Sequence, residues 1–415
     1  MTFNLQQGYM AQSLWTAAIK KPWRYDAMIY VGIDVAKDKH DCAIMGSNGK
    51  LYEDVFTIEN SLKGFCKLTE CLKPFPVENV KIGLEATGHY SHNIINFLTL
   101  SGYELVVYNP LKTSKFRKAY SLRKTKTDKI DAATIVRMLA VDDSKSYSPP
   151  SYHIHELKSL TRHRHRSVKQ RSMLKISLTR LIDIMFPELP KTLGNIHQKS
   201  IYALLTEFST PLAIEKAHLI RLTNLLGKSR HSGARDKAVA IRKVAAHSIG
   251  TSTPASVFEL NQTIPQIRFI TRQIDELEKL IKALVTEIDS PIITVPGISY
   301  TLGAVILAEI GDIERFDSPA KLLAFAGLEP STNQSGKRTS TSDSMVKRGS
   351  PYLRHALYNA ARLISMRDPV FKAYLAKKLS ENKQYQVAMS HVTKKLVRVL
   401  FHLLKNNQTF KPQQR

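Results

Sequence analysis

One stretch near the start of the chain limits what it can fold into. Ile29-Tyr30-Val31-Gly32-Ile33 runs apolar up to Asp34, and a second apolar run, Cys42-Ala43-Ile44-Met45, follows after a short charged break. The pattern is that of a buried strand that turns back into a hairpin partner. An aspartate that late in a buried strand is costly unless something pairs with it. Three more acids arrive in matching contexts: Glu85 after Lys81-Ile82-Gly83-Leu84, and Asp128 and Asp131 in Lys126-Thr127-Asp128-Lys129-Ile130-Asp131. The i, i+3 spacing of the last two puts them on one helix face. Carboxylates gathered in one place repel, and a divalent cation is their natural compensation. Oxygen-only ligation selects Mg²⁺ or Mn²⁺. Two such ions about 4 Å apart can flank a phosphodiester and stabilise its attacking and leaving oxygens. Asp34, Glu85, Asp128 and Asp131 are therefore expected to form one metal site. Taken singly each has a simpler reading, Asp131 as a surface helix residue and Asp128 as a helix-start acid; the set of four does not.

Charge supplies the second constraint. The chain of 415 residues carries 61 Lys+Arg against 35 Asp+Glu, a formal +26. Such an excess favours a polyanionic partner over a merely basic surface. Two dense runs stand out. One holds Lys112, Lys115, Arg117, Lys118, Arg123, Lys124, Lys126 and Lys129, with Asp128 as its one acid. The other holds Lys158, Arg162, Arg164, Arg166, Lys169, Arg171, Lys175 and Arg180 with no acid between them. A charge run is usually a solvated face, but two beside a carboxylate set favour phosphate binding. Cys42, Cys66 and Cys71 form no disulfide framework or zinc spacing, which places the chain in the cytoplasm. No apolar run approaches a membrane span and no signal h-region opens the chain.

The length implies two or three domains. Residues 1–27 carry no clear pattern and are expected to be a disordered extension that is dispensable for activity. Strands are expected over Met28–Val35, His40–Met45, Leu51–Ile58, Val80–Leu84 and Glu104–Tyr108, with helices over Ser61–Leu72 (Asn60 as N-cap), Tyr90–Leu98 and Ile130–Ala140. That is an α/β pattern with a mixed sheet, spanning 28–150. Residues 151–290 read as helical. Ile267, Ile270, Ile274, Leu277, Ile281, Leu284 and Ile288 alternate steps of three and four, as in a coiled-coil seam or a bundle helix packed on residues 155–186. Residues 291–405 read as mainly helical, and 406–415 as a frayed tail. Pro296-Gly297-Ile298 at a helix start resembles a phosphate-holding helix-hairpin-helix turn.

A polar loop, Gly327-Leu328-Glu329-Pro330-Ser331-Thr332-Asn333-Gln334-Ser335-Gly336-Lys337-Arg338, is followed by Lys347-Arg348-Gly349 and Leu353-Arg354. By pattern alone it is a phosphate-gripping loop. A serine there could attack phosphorus only if cations or metal ions lowered its proton affinity.

These motifs together resemble a known family, the DEDD-type insertion-sequence transposases related to the Piv invertases, now described as bridge-RNA-guided recombinases. The resemblance runs through Val31-Gly32-Ile33-Asp34, Leu84-Glu85-Ala86-Thr87-Gly88, Thr127-Asp128-Lys129-Ile130-Asp131, Pro296-Gly297-Ile298, Gly327-Leu328-Glu329-Pro330, Ser335-Gly336, Lys347-Arg348-Gly349 and Leu353-Arg354, and spans residues 28–405. It implies a RuvC-like (RNase H-like) N-terminal domain whose acidic tetrad is Asp34, Glu85, Asp128 and Asp131. It implies a coiled-coil middle and a C-terminal transposase domain whose nucleophilic serine is Ser335. It also implies an oligomer, dimer or tetramer, that brings tetrad and serine together, pairs with a noncoding RNA, acts on target and donor DNA, and works at the nucleoid. The expected activity is transposition through a covalent phosphoserine link. The alternative is a RuvC-like nuclease or Holliday junction resolvase without serine chemistry, and a third reading is a binding protein with a degenerate metal site. Lys337, Arg338, Lys347, Arg348 and Arg354 join the two basic runs as expected nucleic-acid contacts.

Overall fold

Strand β1 (Ile29–Val35) lies at the centre of a five-stranded sheet and is covered on both faces. Its alternate residues Ile29, Val31, Ile33 and Val35 pack under helices α1 (Leu62–Leu72) and α2 (His92–Leu100). The computed structural model describes residues 28–52, 55–86, 88–120, 128–142, 146–147, 152–227, 233–330, 334–335, 338–339 and 345–412. They fall in two compact units, 1–149 and 150–415. The expectation for residues 1–27 lies outside the described residues.

In the first unit β2 (Lys39–Gly46) and β3 (Phe56–Glu59) add antiparallel strands on one side of β1. On the other side β4 (Val80–Glu85) and β5 (Glu104–Tyr108) run parallel to it. The order β3-β2-β1-β4-β5 is a mixed sheet that fits the RNase H-like expectation. The third strand is shorter than expected. Leu51 makes only an isolated bridge to Met45, and pairing resumes at Phe56. In the sequence, two acids with poor strand propensity, Glu53 and Asp54, stand between the two. Helix α1 is capped by Ser61, not Asn60: the Ser61 hydroxyl accepts from the Gly64 N–H, while the Asn60 amide donates to the Lys37 carbonyl. Two further helices complete the unit, α3 (Pro110–Tyr120) and α4 (Asp128–Val141). Helix α3 was not expected. Asn109-Pro110 reads as a strand stop, yet Pro110 is also a good first helical residue, and the Asn109 side chain accepts from the Leu111 N–H.

The second unit is built on two long helices. Helix α5 (Tyr152–Met185) is followed by the short helices α6 (Leu189–Leu193), α7 (Lys199–Glu207), α8 (Pro211–Lys216), α9 (Leu219–Leu226) and α10 (Ala234–Ala245), and then by α11 (Pro254–Ile288). Helices α5 and α11 run antiparallel, bridged by Arg164–Glu278 and Arg180–Glu259. Each passes through two cores. Leu178–Phe186 and Leu260–Ile267 join α6–α10 in one. Leu157 and Ile281–Val285 join the C-terminal helices in the other. The Ile267–Ile281 stripe is thus buried within a single copy of the chain, which is the bundle alternative.

The C-terminal core is formed by α12 (Tyr300–Ile310), α13 (Pro319–Phe325), α14 (Pro351–Arg367), α15 (Pro369–Ser380) and α16 (Tyr385–Lys405), with a small hairpin, β6 (Gln334–Ser335) and β7 (Arg338–Thr339), between α13 and α14. Gly297 has φ +96° and faces the Leu363 side chain and backbone of α14. The Pro296-Gly297-Ile298 turn is therefore a packing joint, because Gly297 there meets a helix of the same chain. The tail is not frayed as far as it is described: the Phe410 N–H donates to Thr294 Oγ1 at 2.8 Å. No helix among the described residues is long and apolar enough to cross a membrane.

Candidate active site

The face of the sheet opposite α1 and α2 is covered by α4. Gly32 makes that possible. A Cβ on Gly32 would meet the Ala132 carbonyl and the Val136 nitrogen of α4 at 2.5 Å. Gly83 on β4 sits under Ile135 and Leu139 in the same way, with tight contacts of 3.2–3.4 Å. Since alternate strand residues share a face, Asp34 and Glu85, each two positions after its glycine, point to the same side as α4. Ile33 pairs with Leu84, so the two acids stand next to each other across the β1–β4 boundary. Asp131, on the first turns of α4, joins them.

Asp34, Glu85 and Asp131 line one cavity of ≈ 370 Å³, together with Thr113, Ser114 and Arg117 of α3 and Thr134 of α4. Residues from 34 to 131 thus meet in one place. Asp128 supplies the first residue of α4. The helix N-terminus adds partial positive charge beside the acids. Two side chains that were not expected to act here hold the carboxylates. The Thr113 hydroxyl donates to Glu85 Oε2, and the Arg117 guanidinium donates to Asp131 Oδ1 at 2.7 Å. Arg117 was expected to meet nucleic acid; the structure turns it into the carboxylate cavity. Nothing in the sequence links it to Asp131, because the link depends on α3.

The donor chemistry fits a hard divalent cation: oxygens only, on rigid strand ends and a helix. Among the described residues, however, no three His, Cys, Asp or Glu side chains are already gathered into a metal cage. Arg117 stands on Asp131 as a cation of the protein's own.

The basic residues divide into engaged and open ones. Lys112 is paired with Asp142 and lies over the Tyr108 ring. Arg162 is held by Glu309 and Arg164 by Glu278. Lys115, Lys118, Arg166, Lys169, Lys347 and Arg348 are exposed, and Arg171 and Arg354 half-buried. Arg123, Lys124, Lys126 and Lys337 lie outside the described residues.

Ser335 belongs to the second unit, on hairpin strand β6 opposite Arg338 of β7. The base of its loop is firmly anchored. Pro330 bridges Met345, and the Val346 N–H donates to the Glu329 carbonyl at 2.9 Å. Arg354 donates to the carbonyls of Ala326 and Lys347, both at 3.2 Å. Beneath it, Glu309 of α12 is 3 % exposed and accepts from Arg162 at 2.8 and 3.2 Å and from the Ser350 hydroxyl at 2.8 Å. Burial pushes the Glu309 carboxyl up, but the hydrogen bonds from Arg162 and Ser350, with the charges of Arg162 and Lys158, bring it below the usual glutamate range.

Comparison with known protein families places the chain among enzymes that cut DNA. Residues 31–187 match the family model of DEDD transposases of the IS110 type, and residues 289–376 match the transposase model of the IS116/IS110/IS902 family. The chain belongs to the IS110 family of DEDD transposases. It is 25% identical to an uncharacterized protein of insertion element IS116 from Streptomyces clavuligerus, over 92% of this chain and 96% of that one. It is 23% identical to the pilin gene-inverting protein of Moraxella bovis, over 92% and 97%. Among solved structures, T. thermophilus RuvC in complex with a Holliday junction substrate matches at 10% identity and a TM-score of 0.21, covering 29% of this chain and all of that one.

Proposed function

We propose that this chain cuts and rejoins the DNA of a mobile insertion sequence at a divalent-cation site formed by Asp34, Glu85, Asp128 and Asp131, with Ser335 as the nucleophile. The observation that carries the reading is the convergence of Asp34, Glu85 and Asp131 on one cavity from positions far apart in the chain. Mg²⁺ or Mn²⁺ bound there supplies positive charge to the phosphodiester oxygens and lowers the proton affinity of an attacking hydroxyl. The remaining work is the protein's. Asp34, Glu85, Asp128 and Asp131 would hold the cation, and Thr113 holds Glu85 in place. Arg117, held on Asp131 at the cavity wall, would be the guanidinium available to a phosphate there.

The serine step follows from the family resemblance and balances simply. Ser335 Oγ attacks phosphorus, an Oγ–P bond forms, and the P–O bond to one strand breaks. The departing strand keeps a hydroxyl and takes up the proton. Rejoining is the reverse, with a DNA hydroxyl attacking the phosphoserine and the serine leaving. The same resemblance supports a homo-oligomer, a guiding noncoding RNA and action at the bacterial nucleoid; the +26 charge suits an RNA as well as a DNA partner.

The test is the covalent adduct. Purified protein is incubated with its flanking DNA and Mg²⁺, denatured, and run on a gel. A protein–DNA adduct that disappears in both Asp34→Ala and Ser335→Ala supports the proposal. Cleavage without an adduct, unchanged in Ser335→Ala, would assign the site to hydrolysis instead. Sequencing the RNA that co-purifies from cells carrying the element tests the guide.

A further inference from the structure

We propose that Asp41, which stands next to Asp34 but is not part of the cavity lining, is a positioning residue that acts on the cation site through Asp34; the inference rests on the cation reading above. Asp41 pairs directly with Asp34 across the β1–β2 ladder. Residues directly opposite each other in a ladder point to the same face. The packing confirms which face: Ala43 and Met45, the next residues on the same side of β2, lie against Ala132 and Val136 of α4. Asp41, Asp34 and Glu85 therefore form a row across β2, β1 and β4, all turned toward the helix that carries Asp131.

Asp41 is 4 % exposed. Its hydrogen-bond donor is the Thr57 hydroxyl, from the residue opposite it on β3. Among the described residues no Lys, Arg or His forms an ion pair with it. A buried carboxylate held by a neutral hydroxyl, beside a second carboxylate, is an unfavourable arrangement in a protein made only for stability. A core strand would place an apolar side chain or a Thr there. The arrangement becomes favourable when a divalent ion is bound at Asp34, because the added negative charge then attracts the ion. Thr57 keeps Asp41 from turning away, so its charge stays beside Asp34.

The charge and structural roles make opposite predictions for Asp41→Asn, which keeps the acceptor for Thr57 and removes the charge. Mn²⁺ binding to the full chain is measured by titration calorimetry, and melting temperature is measured without metal. The expected result is a loss of Mn²⁺ affinity of roughly three- to tenfold, from one charge at close range in a partly wet site, with the metal-free melting temperature unchanged or raised. Thr57→Val, which removes the hydroxyl and leaves the charge, should lower the melting temperature and change Mn²⁺ affinity less. If Asp41→Asn lowers the melting temperature and affinity together, Asp41 is merely a structural acceptor and the inference is overturned. If Asp34→Asn abolishes Mn²⁺ binding while Asp41→Asn leaves it intact, the inference fails and the cation reading stands. If Asp34→Asn binds Mn²⁺ as the wild type does, the cation reading fails and this inference goes with it.

Discussion

Replacing Arg117 with Gln probes the carboxylate cavity most directly. The guanidinium donates to Asp131 at 2.7 Å, with the side chains 28% and 14% exposed, so the pair is shielded from water but not dry. A charge-assisted hydrogen bond in such a place contributes about 1.5 kcal/mol, above the range of an exposed pair and below that of a fully buried one. For a unit the size of residues 1–149, that corresponds to a fall in melting temperature of about 3–6 °C without metal. On the proposed reading, a divalent cation bound to the carboxylates would break the same pair in the wild type. In Arg117→Gln that cost is already absent, so the variant should bind Mn²⁺ more tightly by the same free energy, about tenfold. The two effects form a closed cycle. At saturating Mn²⁺ the melting temperatures of variant and wild type should converge. Scanning calorimetry with and without Mn²⁺, and a titration of each protein, measure all four sides. A melting-temperature loss that persists at saturating Mn²⁺, with unchanged affinity, would refute the idea that guanidinium and cation compete for Asp131.

The remaining predictions concern packing, the serine loop and nucleic acid. Gly32→Ala forces α4 away from β1 and should cost about 2–3 kcal/mol by overpacking, with DNA cleavage lost at temperatures where the variant is still folded; melting and cleavage assays read both. Glu309→Gln leaves Arg162 without its carboxylate and should destabilise the second unit by about 2–3 kcal/mol at neutral pH, measured as a shift in urea midpoint. Because the folded Glu309 carboxyl lies below its unfolded value of about 4.3, its stabilisation is present above that pH and is lost as pH falls through the folded value. The gap between wild type and Glu309→Gln should therefore close in acid; a gap that widens would show the sign to be wrong. Neutralising Arg166 and Lys169, both exposed on α5, should flatten the slope of log affinity against log salt by up to about two units if both meet phosphates, whereas Arg164→Gln should act mainly on stability, through Glu278.

What the sequence made legible here follows from periodicity. The strands of the first unit could be read because each is short, apolar and bounded by turn residues, and the acids at their ends stood out against that background. The seam of α11 could be read because its steps are regular over many turns. The register that sets Asp41 beside Asp34 could not be read, since it depends on how many residues the turn between β1 and β2 consumes. The roles of Gly32 and Gly83 were hidden for a related reason. A glycine in a strand announces close approach of something, but the approaching element, α4, starts far along the chain.

Helix α3 is the most instructive omission, because it carries both Thr113 and Arg117. Its sequence, Pro110-Leu111-Lys112-Thr113-Ser114-Lys115-Phe116-Arg117-Lys118-Ala119-Tyr120, is so basic that it reads as a charge run before it reads as a helix. Only Thr113 is buried on it, so an apolar stripe never forms. The helix is held by its Pro110 start, by the Asn109 cap, by Phe116 packed on the core around Val106 and Ile135, and by polar links to Glu85 and Asp131. Those links are made to the acids themselves. A helix with one apolar anchor and two bonds to a charged site gives little hydrophobic signal, and it is expected to respond when the charge at that site changes. Hydrogen exchange of the α3 amides should thus change on Mn²⁺ binding in the wild type, and the change should be smaller in Arg117→Gln, where one of the two links is already gone.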